Sequence, residues 1–178
     1  MSSFEIEITK DWLTSAYYVY VVTIVYEKKT YLYIGQTGDN HYHSARAPLY
    51  RIGGHFAKGV STENQIIKYF KNTVLEKDNI SNHELEQKLI KSKLNYKFWE
   101  ICAFDEKNEK DVHKDKRMRA QAVEHYLIYK LLQNEGVTVL NSKVNAEISK
   151  SKRDHFKEDI DFISDKGNEI LKELGYGG

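Results

Sequence analysis

Cysteine, proline and glycine are scarce in this chain of 178 residues, which contains one Cys, one Pro and ten Gly. The single cysteine, Cys102, excludes an internal disulfide and a cysteine-rich metal site. The low proline and glycine contents exclude collagen-like and proline-rich proteins, and a hydrophobic share of 40% excludes a wholly disordered one. The apolar run from Ala16 to Tyr26 is too short to span a membrane, and no secretory signal pattern is evident. We therefore expect one cytoplasmic globular domain, with or without a small appendage.

An excess of charge of one sign is also missing, because the formal net charge is only +1. This excludes a uniformly basic surface, so any nucleic-acid-binding surface must be local. Six basic and three acidic residues lie between Lys107 and Arg119, and five basic and two acidic residues lie between Lys143 and Lys157. From Glu158 onward six residues are acidic and two are basic. Composition alone favours solvated helix faces over a binding surface for these segments.

Hydrophobic patterning predicts an α/β domain of the α+β type, with a small three-stranded sheet that contains an N-terminal β-hairpin and is flanked by helices. The predicted strands are Ala16–Tyr26, Tyr31–Ile34 and Tyr96–Phe104, with a short strand or extended piece at Val137–Leu140. The predicted helices run from Pro48 toward Lys58, over Thr62–Lys77, His83–Lys93 and Lys114–Asn134, and through a polar tail at Glu147–Leu174.

Tyrosines are concentrated in the hairpin. If Tyr26 and Tyr31 face each other across a four-residue turn, even positions of the first strand share a face with odd positions of the second. Tyr20 and Tyr33 then point the same way, together with Tyr18. Aromatic cross-strand pairs in a tyrosine-rich core explain this pattern without any function, and a cluster of phenols at a site is the alternative.

The predicted long helix carries Glu124 inside its apolar stripe. A carboxylate on a core-facing side is costly unless it is paired, protonated or bound to metal. Glu124 is therefore either a buried salt-bridge partner or stripe-edge residue, or a metal ligand or catalytic carboxylate in a cleft. The stripe consists of Ala120, Val123, Leu127, Ile128, Leu131 and Leu132.

Arg51 and His55 are four residues apart, so in a helix they face the same side. An arginine fork is a natural clamp for a phosphate, although such a pair is more often a surface feature. Gly53 and Gly54 weaken this helix.

Taken in order, these motifs resemble the GIY-YIG nuclease family over about residues 17 to 143. The most specific element is Tyr33-Ile34-Gly35-Gln36-Thr37, and Tyr18 stands where the first motif of the family has glycine. Both Arg46 and Arg51 could occupy the position of the family's arginine. We assign it to Arg51, because Arg51 has the right spacing to His55. The motifs that carry the resemblance are Tyr18-Val19-Tyr20, Tyr33 to Gly38, Arg51 with His55, Glu124, and Leu140-Asn141.

The resemblance implies a DNA endonuclease that hydrolyses phosphodiester bonds with a divalent metal, Mg²⁺ or Mn²⁺. Glu124 would bind the metal and Arg51 the scissile phosphate. Tyr20 would act as general base, but its ordinary pKa near 10 is too high for pH 7, so Arg51 and the metal must lower it or His55 must take its proton. Tyr33 would orient the water or contact the phosphate, and Asn141 would support the site from behind.

The resemblance also divides the chain into an N-terminal arm (1–16), a nuclease domain (17–143) and a helical C-terminal extension (144–178). The expected partner is DNA, bound by a monomer or a homodimer and without a membrane. A restriction-type enzyme is our first expectation, a structure-specific repair or recombination nuclease the second, and a catalytically inactive nucleic-acid-binding module the third. The expected DNA contacts are Arg46, Lys58, Lys116, Arg117, Arg119 and Lys143.

Overall fold

The computed structural model of the chain describes residues 6–39, 44–56, 65–75, 80–107, 109–141 and 159–177. These residues form strands β1 (Ala16–Tyr26), β2 (Lys29–Gln36), β3 (Lys93–Ala103) and β4 (Thr138–Val139). They also form helices α1 (Lys10–Leu13), α2 (Pro48–Phe56), α3 (Gln65–Val74), α4 (Asn82–Ile90), α5 (Lys110–Leu131) and α6 (Ile160–Glu173).

The strands build one mixed sheet in the order β3-β1-β2-β4. Strand β1 pairs antiparallel with both neighbours, and β4 pairs parallel with β2. The α+β class with flanking helices is therefore confirmed, but the expected count of three strands is wrong. The extended piece after α5 becomes the fourth strand because it satisfies backbone groups on the open edge of β2, where Leu140 N–H donates to the Leu32 carbonyl over 2.8 Å.

The hairpin turn is shorter than the sequence predicts. It contains two residues, Glu27 and Lys28, with φ angles of 48° and 65°, so Tyr26 pairs with Lys29 rather than with Tyr31. Two-residue turns with positive φ match the twist of paired strands. The register thus differs from the expected one by two residues, which leaves each side chain on its expected face.

Each face of the sheet has its own hydrophobic core. Tyr17, Val19 and Val21 of β1 pack with α5 and α6, whereas the alternate positions of β1 pack with α3 and α4. The core on the second face contains four of the six hairpin tyrosines, including Tyr20 and Tyr33. The candidate site residues of the hairpin therefore lie on the face that α5 does not cover.

Helix α5 buries almost the whole predicted stripe. Leu132 is the exception, with 52% of its surface exposed, because the helix ends at Leu131. The helix begins four residues earlier than predicted, after Glu109 in extended conformation, and its first turn buries His113. Glu124 is half-buried beside the fully buried Val123.

The segments at both ends of the chain contribute helices. Helix α1 lies within the expected N-terminal arm, and α6 packs on α5, with the Tyr126 ring pressed against Gly167. The predicted tail helix is present from Ile160, and residues 142–158 lie outside the described part of the chain. No helix in the described ranges is both long and apolar enough to cross a membrane.

Candidate active site

Tyr20 is the centre of the candidate site, and its side chain is fully buried. Its cross-strand partner in β2 is Gly35. The phenol ring lies directly over this glycine, so that a Cβ at position 35 would overlap the Cζ and hydroxyl oxygen of Tyr20. The glycine of the motif is therefore explained by close approach of a ring to the backbone.

Helix α2 brings Arg51 and His55 to the hydroxyl of Tyr20. The Arg51 Nε–H donates to the Tyr20 oxygen over 3.0 Å, and His55 Nε2 lies 3.3 Å from the same oxygen. The guanidinium carbon of Arg51 also lies 5.4 Å from the centre of the Tyr20 ring. Arg51 and His55 thus face the same side of α2, as their spacing predicts, and both meet one phenol.

Tyr33 and Glu124 belong to the same cluster. The Tyr33 ring is centred 6.3 Å from the Tyr20 ring, and its hydroxyl donates to Gln65 Oε1 over 2.9 Å. The carboxylate of Glu124 contributes to raising the pKa of Tyr20, of Tyr33 and of Arg51, so it lies within electrostatic reach of all three. The structure therefore brings Arg51 and His55 into contact with the Tyr20 hydroxyl and Tyr33 beside the Tyr20 ring, while Glu124, on α5, acts on these groups through its charge.

Burial sets the protonation states of this cluster. It raises the pKa of Tyr20 above the usual 10, against the opposing charge and hydrogen bond of Arg51. It likewise raises the pKa of Tyr33, helped by Tyr20 and Glu124 and opposed by Arg51. Burial, and then the charge of Arg51, lower the pKa of His55 to about 4. At pH 7 both phenols are protonated and His55 is neutral.

Asn141 supports β2 from its outer edge. Its Nδ2 donates to the Ile34 carbonyl over 2.7 Å, and the Ile34 N–H donates to its Oδ1 over 3.3 Å. The buried amide thus imitates a neighbouring strand at the residue before Gly35. This position agrees with the expected indirect role of Asn141.

Comparison of the chain with protein-family models, curated proteins and solved structures returns no match. Function must therefore be inferred from the contacts of the chain's own residues.

The sequence gives no indication of three further residues in the cluster. Tyr96 places its hydroxyl 3.4 Å from His55 Nδ1, and the Phe98 ring is centred 5.2 Å from that of Tyr20 at an angle of 31°. Both lie on β3, opposite Val22 and Tyr20 of β1. Gln65, the first residue of α3, accepts from Tyr33. The alternation of side chains along a strand indicates that Tyr96 and Phe98 share a face of β3. It does not indicate which strand lies next to β3, so their contacts with the site could not be predicted.

Two of the expected DNA contacts are already engaged in ion pairs. Arg46 binds Asp39 over 3.0 Å, within the loop that follows β2, and does not join the Tyr20 cluster. Arg119 lies 3.3 Å from Asp115 and 3.0 Å from Asp159, so it links α5 to the start of α6. Both are half-exposed, and their pairing reduces the charge they offer to a phosphate.

The other basic candidates differ in the contacts that their side chains make. Lys116 donates to the Ala103 carbonyl over 3.0 Å. The aliphatic stem of Arg117 packs on Gly38 just beyond β2, and the structure gives its guanidinium no ion-pair partner among the described residues. Two further candidates, Lys58 and Lys143, lie outside the described residues.

A metal site in the described residues would have to be built on few acidic groups. The described part of the chain contains no group of three or more His, Cys, Asp or Glu side chains that could bind one together. Glu124 is the carboxylate of the cluster, and one carboxylate suits Mg²⁺, which keeps several waters and takes further ligands from phosphate.

Proposed function

We propose that this chain is a divalent-metal-dependent endonuclease that hydrolyses phosphodiester bonds in DNA, with a site of the GIY-YIG type. The observation that carries the proposal is the buried Tyr20 hydroxyl, held between Arg51 Nε and His55 Nε2. A phenol buried only for packing needs one hydrogen-bond partner, and a guanidinium plus a neutral imidazole is a costly choice. The same groups are well suited to hold a phosphate and move a proton beside it.

Arg51 is the proposed phosphate-binding residue. Its Nε–H is used by Tyr20, so its two terminal NH₂ groups remain as the donors that bind the phosphate oxygens. Because the hydrogen bond to Tyr20 already holds the guanidinium in place, binding of a phosphate costs little further conformational entropy. The positive charge of Arg51 also stabilises the negative charge that develops on the phosphate oxygens during the reaction. Arg117 lies seven residues, or two helical turns, before Glu124 on the same edge of α5, and extends the phosphate-binding surface.

Tyr20 and His55 are the proposed proton relay. With its pKa raised above 10, Tyr20 is a poor base on its own at pH 7. In the relay, the Tyr20 oxygen takes a proton from the attacking water while its own proton passes to His55 Nε2. The water oxygen then bonds to phosphorus and the bond to the leaving oxygen breaks.

Substrate binding makes His55 a better proton acceptor. The charge of Arg51 is one cause of the low pKa of His55, which is about 4. A phosphate bound to Arg51 offsets that charge and raises the proton affinity of His55. The relay therefore operates best when a phosphodiester is in place.

Glu124 is the residue that would hold the metal, with water and substrate oxygens as the other ligands. Bound Mg²⁺ or Mn²⁺ supplies Lewis-acid stabilisation of the phosphate and of the leaving oxygen. The negative charge of Glu124 near Tyr20 and Arg51 fits a cation at this point.

The test is incubation of mixed plasmid and genomic DNA with Mg²⁺, Mn²⁺ or EDTA, followed by sequencing of the ends. We expect cleavage with metal and none with EDTA. Glu124→Gln keeps the helix and removes the charge, so cleavage should fall by several orders of magnitude while DNA binding, measured by gel shift, survives. Cleavage by Glu124→Gln at the wild-type rate would rule out this metal ligand.

The pattern of products separates the three expectations. Ends at discrete plasmid sequences indicate a restriction-type enzyme, which is our first proposal for a compact chain that must recognise and cut with one body. Cleavage confined to branched or flapped substrates indicates a structure-specific nuclease. Metal-independent DNA binding without cleavage indicates an inactive binding module.

A further inference from the structure

We propose that Tyr96 is a positioning residue that accepts the Nδ1–H of His55 and so holds the imidazole in the tautomer whose Nε2 lone pair faces Tyr20. The observation behind this inference is that both ring nitrogens of His55 have a phenol oxygen beside them. Tyr20 lies 3.3 Å from Nε2 and Tyr96 lies 3.4 Å from Nδ1. The inference rests on the proposed relay, which needs a bare Nε2.

The two tautomers of His55 are not equivalent for the relay. A neutral imidazole carries one N–H and one lone pair, and His55 is neutral at pH 7 because burial and Arg51 lower its pKa to about 4. If Nε2 carried the hydrogen, it would donate to Tyr20 and could not receive a proton from it. The Nδ1–H tautomer leaves Nε2 free to accept.

The hydrogen bonds at Tyr20 favour the productive tautomer. The Tyr20 oxygen already accepts from the charged Arg51 Nε–H over 3.0 Å. A second N–H donor aimed at the same oxygen would turn the phenol proton away from His55 and toward the hydroxyl of Tyr33, which also hydrogen-bonds with Tyr20. In the Nδ1–H tautomer the phenol instead donates to Nε2, and each of these groups has a partner of the right kind.

Tyr96 is held where it can serve as the acceptor. It lies on β3 opposite Val22, two residues from Phe98, whose ring is centred 6.3 Å from that of Tyr96 and nearly parallel to it. The imidazole of His55 and the Tyr96 ring lie 6.0 Å apart with an interplanar angle of 28°. Because β3 pairs with β1 along most of its length, this phenol is carried by the sheet rather than by a loop.

Nitrogen-15 NMR of the full chain tests the proposal directly, because protonated and bare imidazole nitrogens have well separated shifts. His55→Gln identifies the signals, since it removes only those of His55. We expect wild type at pH 7 to have hydrogen on Nδ1. Tyr96→Phe should redistribute the hydrogen between the two nitrogens by about fivefold to tenfold in population ratio, the equivalent of one lost hydrogen bond.

The matched control is Tyr26→Phe. Tyr26 lies on the same sheet face, and its hydroxyl accepts from Lys88 Nζ over 3.3 Å, so this change also deletes one phenol hydroxyl with one partner. It should leave the His55 signals unchanged. A parallel cleavage assay should show about tenfold slower cleavage by Tyr96→Phe, with a larger effect on kcat than on KM, and a wild-type rate for Tyr26→Phe.

Two results would overturn the inference: hydrogen on Nε2 in wild type, or an unchanged tautomer ratio in Tyr96→Phe. The wild-type spectrum decides the first point without any variant, so the proposal does not depend on the variant's folding. The proposed function fails separately. If the wild-type chain cleaves no DNA with any metal while the tautomer shift is as expected, Tyr96 positions His55 in a protein that is not a nuclease.

Discussion

Tyr20→Phe is the substitution that separates chemistry from packing most cleanly. It keeps the ring, its position over Gly35 and the strand propensity, and deletes only the hydroxyl. In wild type that hydroxyl accepts a charge-assisted hydrogen bond from Arg51 over 3.0 Å and lies 3.3 Å from His55. Its removal leaves a buried guanidinium N–H and an imidazole nitrogen without their partner.

The stability cost follows from these contacts. A hydrogen bond to a charged group contributes about 1.5–3 kcal/mol, and the cost is partly offset because a hydroxyl no longer has to be buried. We expect Tyr20→Phe to lose about 1–3 kcal/mol of folding free energy. For a chain of this size that corresponds to a fall in Tm of roughly 2–12 °C, measurable by thermal melting followed by circular dichroism.

The expected loss of activity is much larger than this destabilisation. Removal of a group that transfers protons typically costs about 100-fold to 10,000-fold in rate. Tyr18→Phe is the control, because its hydroxyl donates to the Thr14 carbonyl over 3.2 Å and touches none of the cluster. It should lose about 1 kcal/mol and cleave normally. Cleavage by Tyr20→Phe at the Tyr18→Phe rate would return Tyr20 to a purely structural role.

Three further changes test other features of the structure. Gly35→Ala should displace the Tyr20 phenol from its contacts and slow cleavage at least about 100-fold. The control is Gly53→Ala, because a Cβ there meets nothing within 4 Å. This variant should cleave normally, and its free energy of unfolding in urea should rise by up to about 1 kcal/mol. The pKa of His55 is lowered in the fold to about 4, so unfolded chains bind more protons between pH 6.5 and 4. Stability should therefore fall by about 1–2 kcal/mol as the pH falls through that window, and His55→Gln should lack this part of the acid sensitivity in melts at stepped pH. Replacement of the turn Glu27–Lys28, with both φ angles positive, by Asn-Gly should raise stability by about 1–2 kcal/mol; an unchanged or lower Tm would mean the strained turn costs nothing.

The sequence predicted the shared face of Tyr20 and Tyr33 although it gave the wrong register. A register error of an even number of residues leaves every side chain on its expected face of the sheet, so the shared face survived the error. The register itself depends on the turn, and Glu27 and Lys28 adopt positive φ without the glycine or asparagine that usually indicates such a turn. Conversely, the contribution of Tyr96 was invisible. It depends on how β3 docks against β1, including a register shift between Tyr17 and Tyr18, and such pairing across some 70 residues of chain leaves no local pattern.

The roles of the basic residues show the same limit. Charge counting located the basic stretch at the start of α5, but it could not tell that Arg119 is tied to two carboxylates or that Arg117 lies against Gly38. Those distinctions arise where helix, loop and tail meet in space, so each requires the tertiary structure.

The pairing of Asn141 with Ile34 has a consequence for the order in which the protein is made. The two residues are 107 positions apart, so the hairpin leaves the ribosome long before its edge can be completed. Until Asn141 emerges, the Ile34 amide and carbonyl beside Gly35 have only water as a partner, and the helix with Glu124 has only just been synthesised. The hairpin tyrosines are therefore synthesised early, but the contacts around them are completed late. The contacts of Asn141 with β2 therefore form only after residue 141 has been synthesised and has left the ribosome.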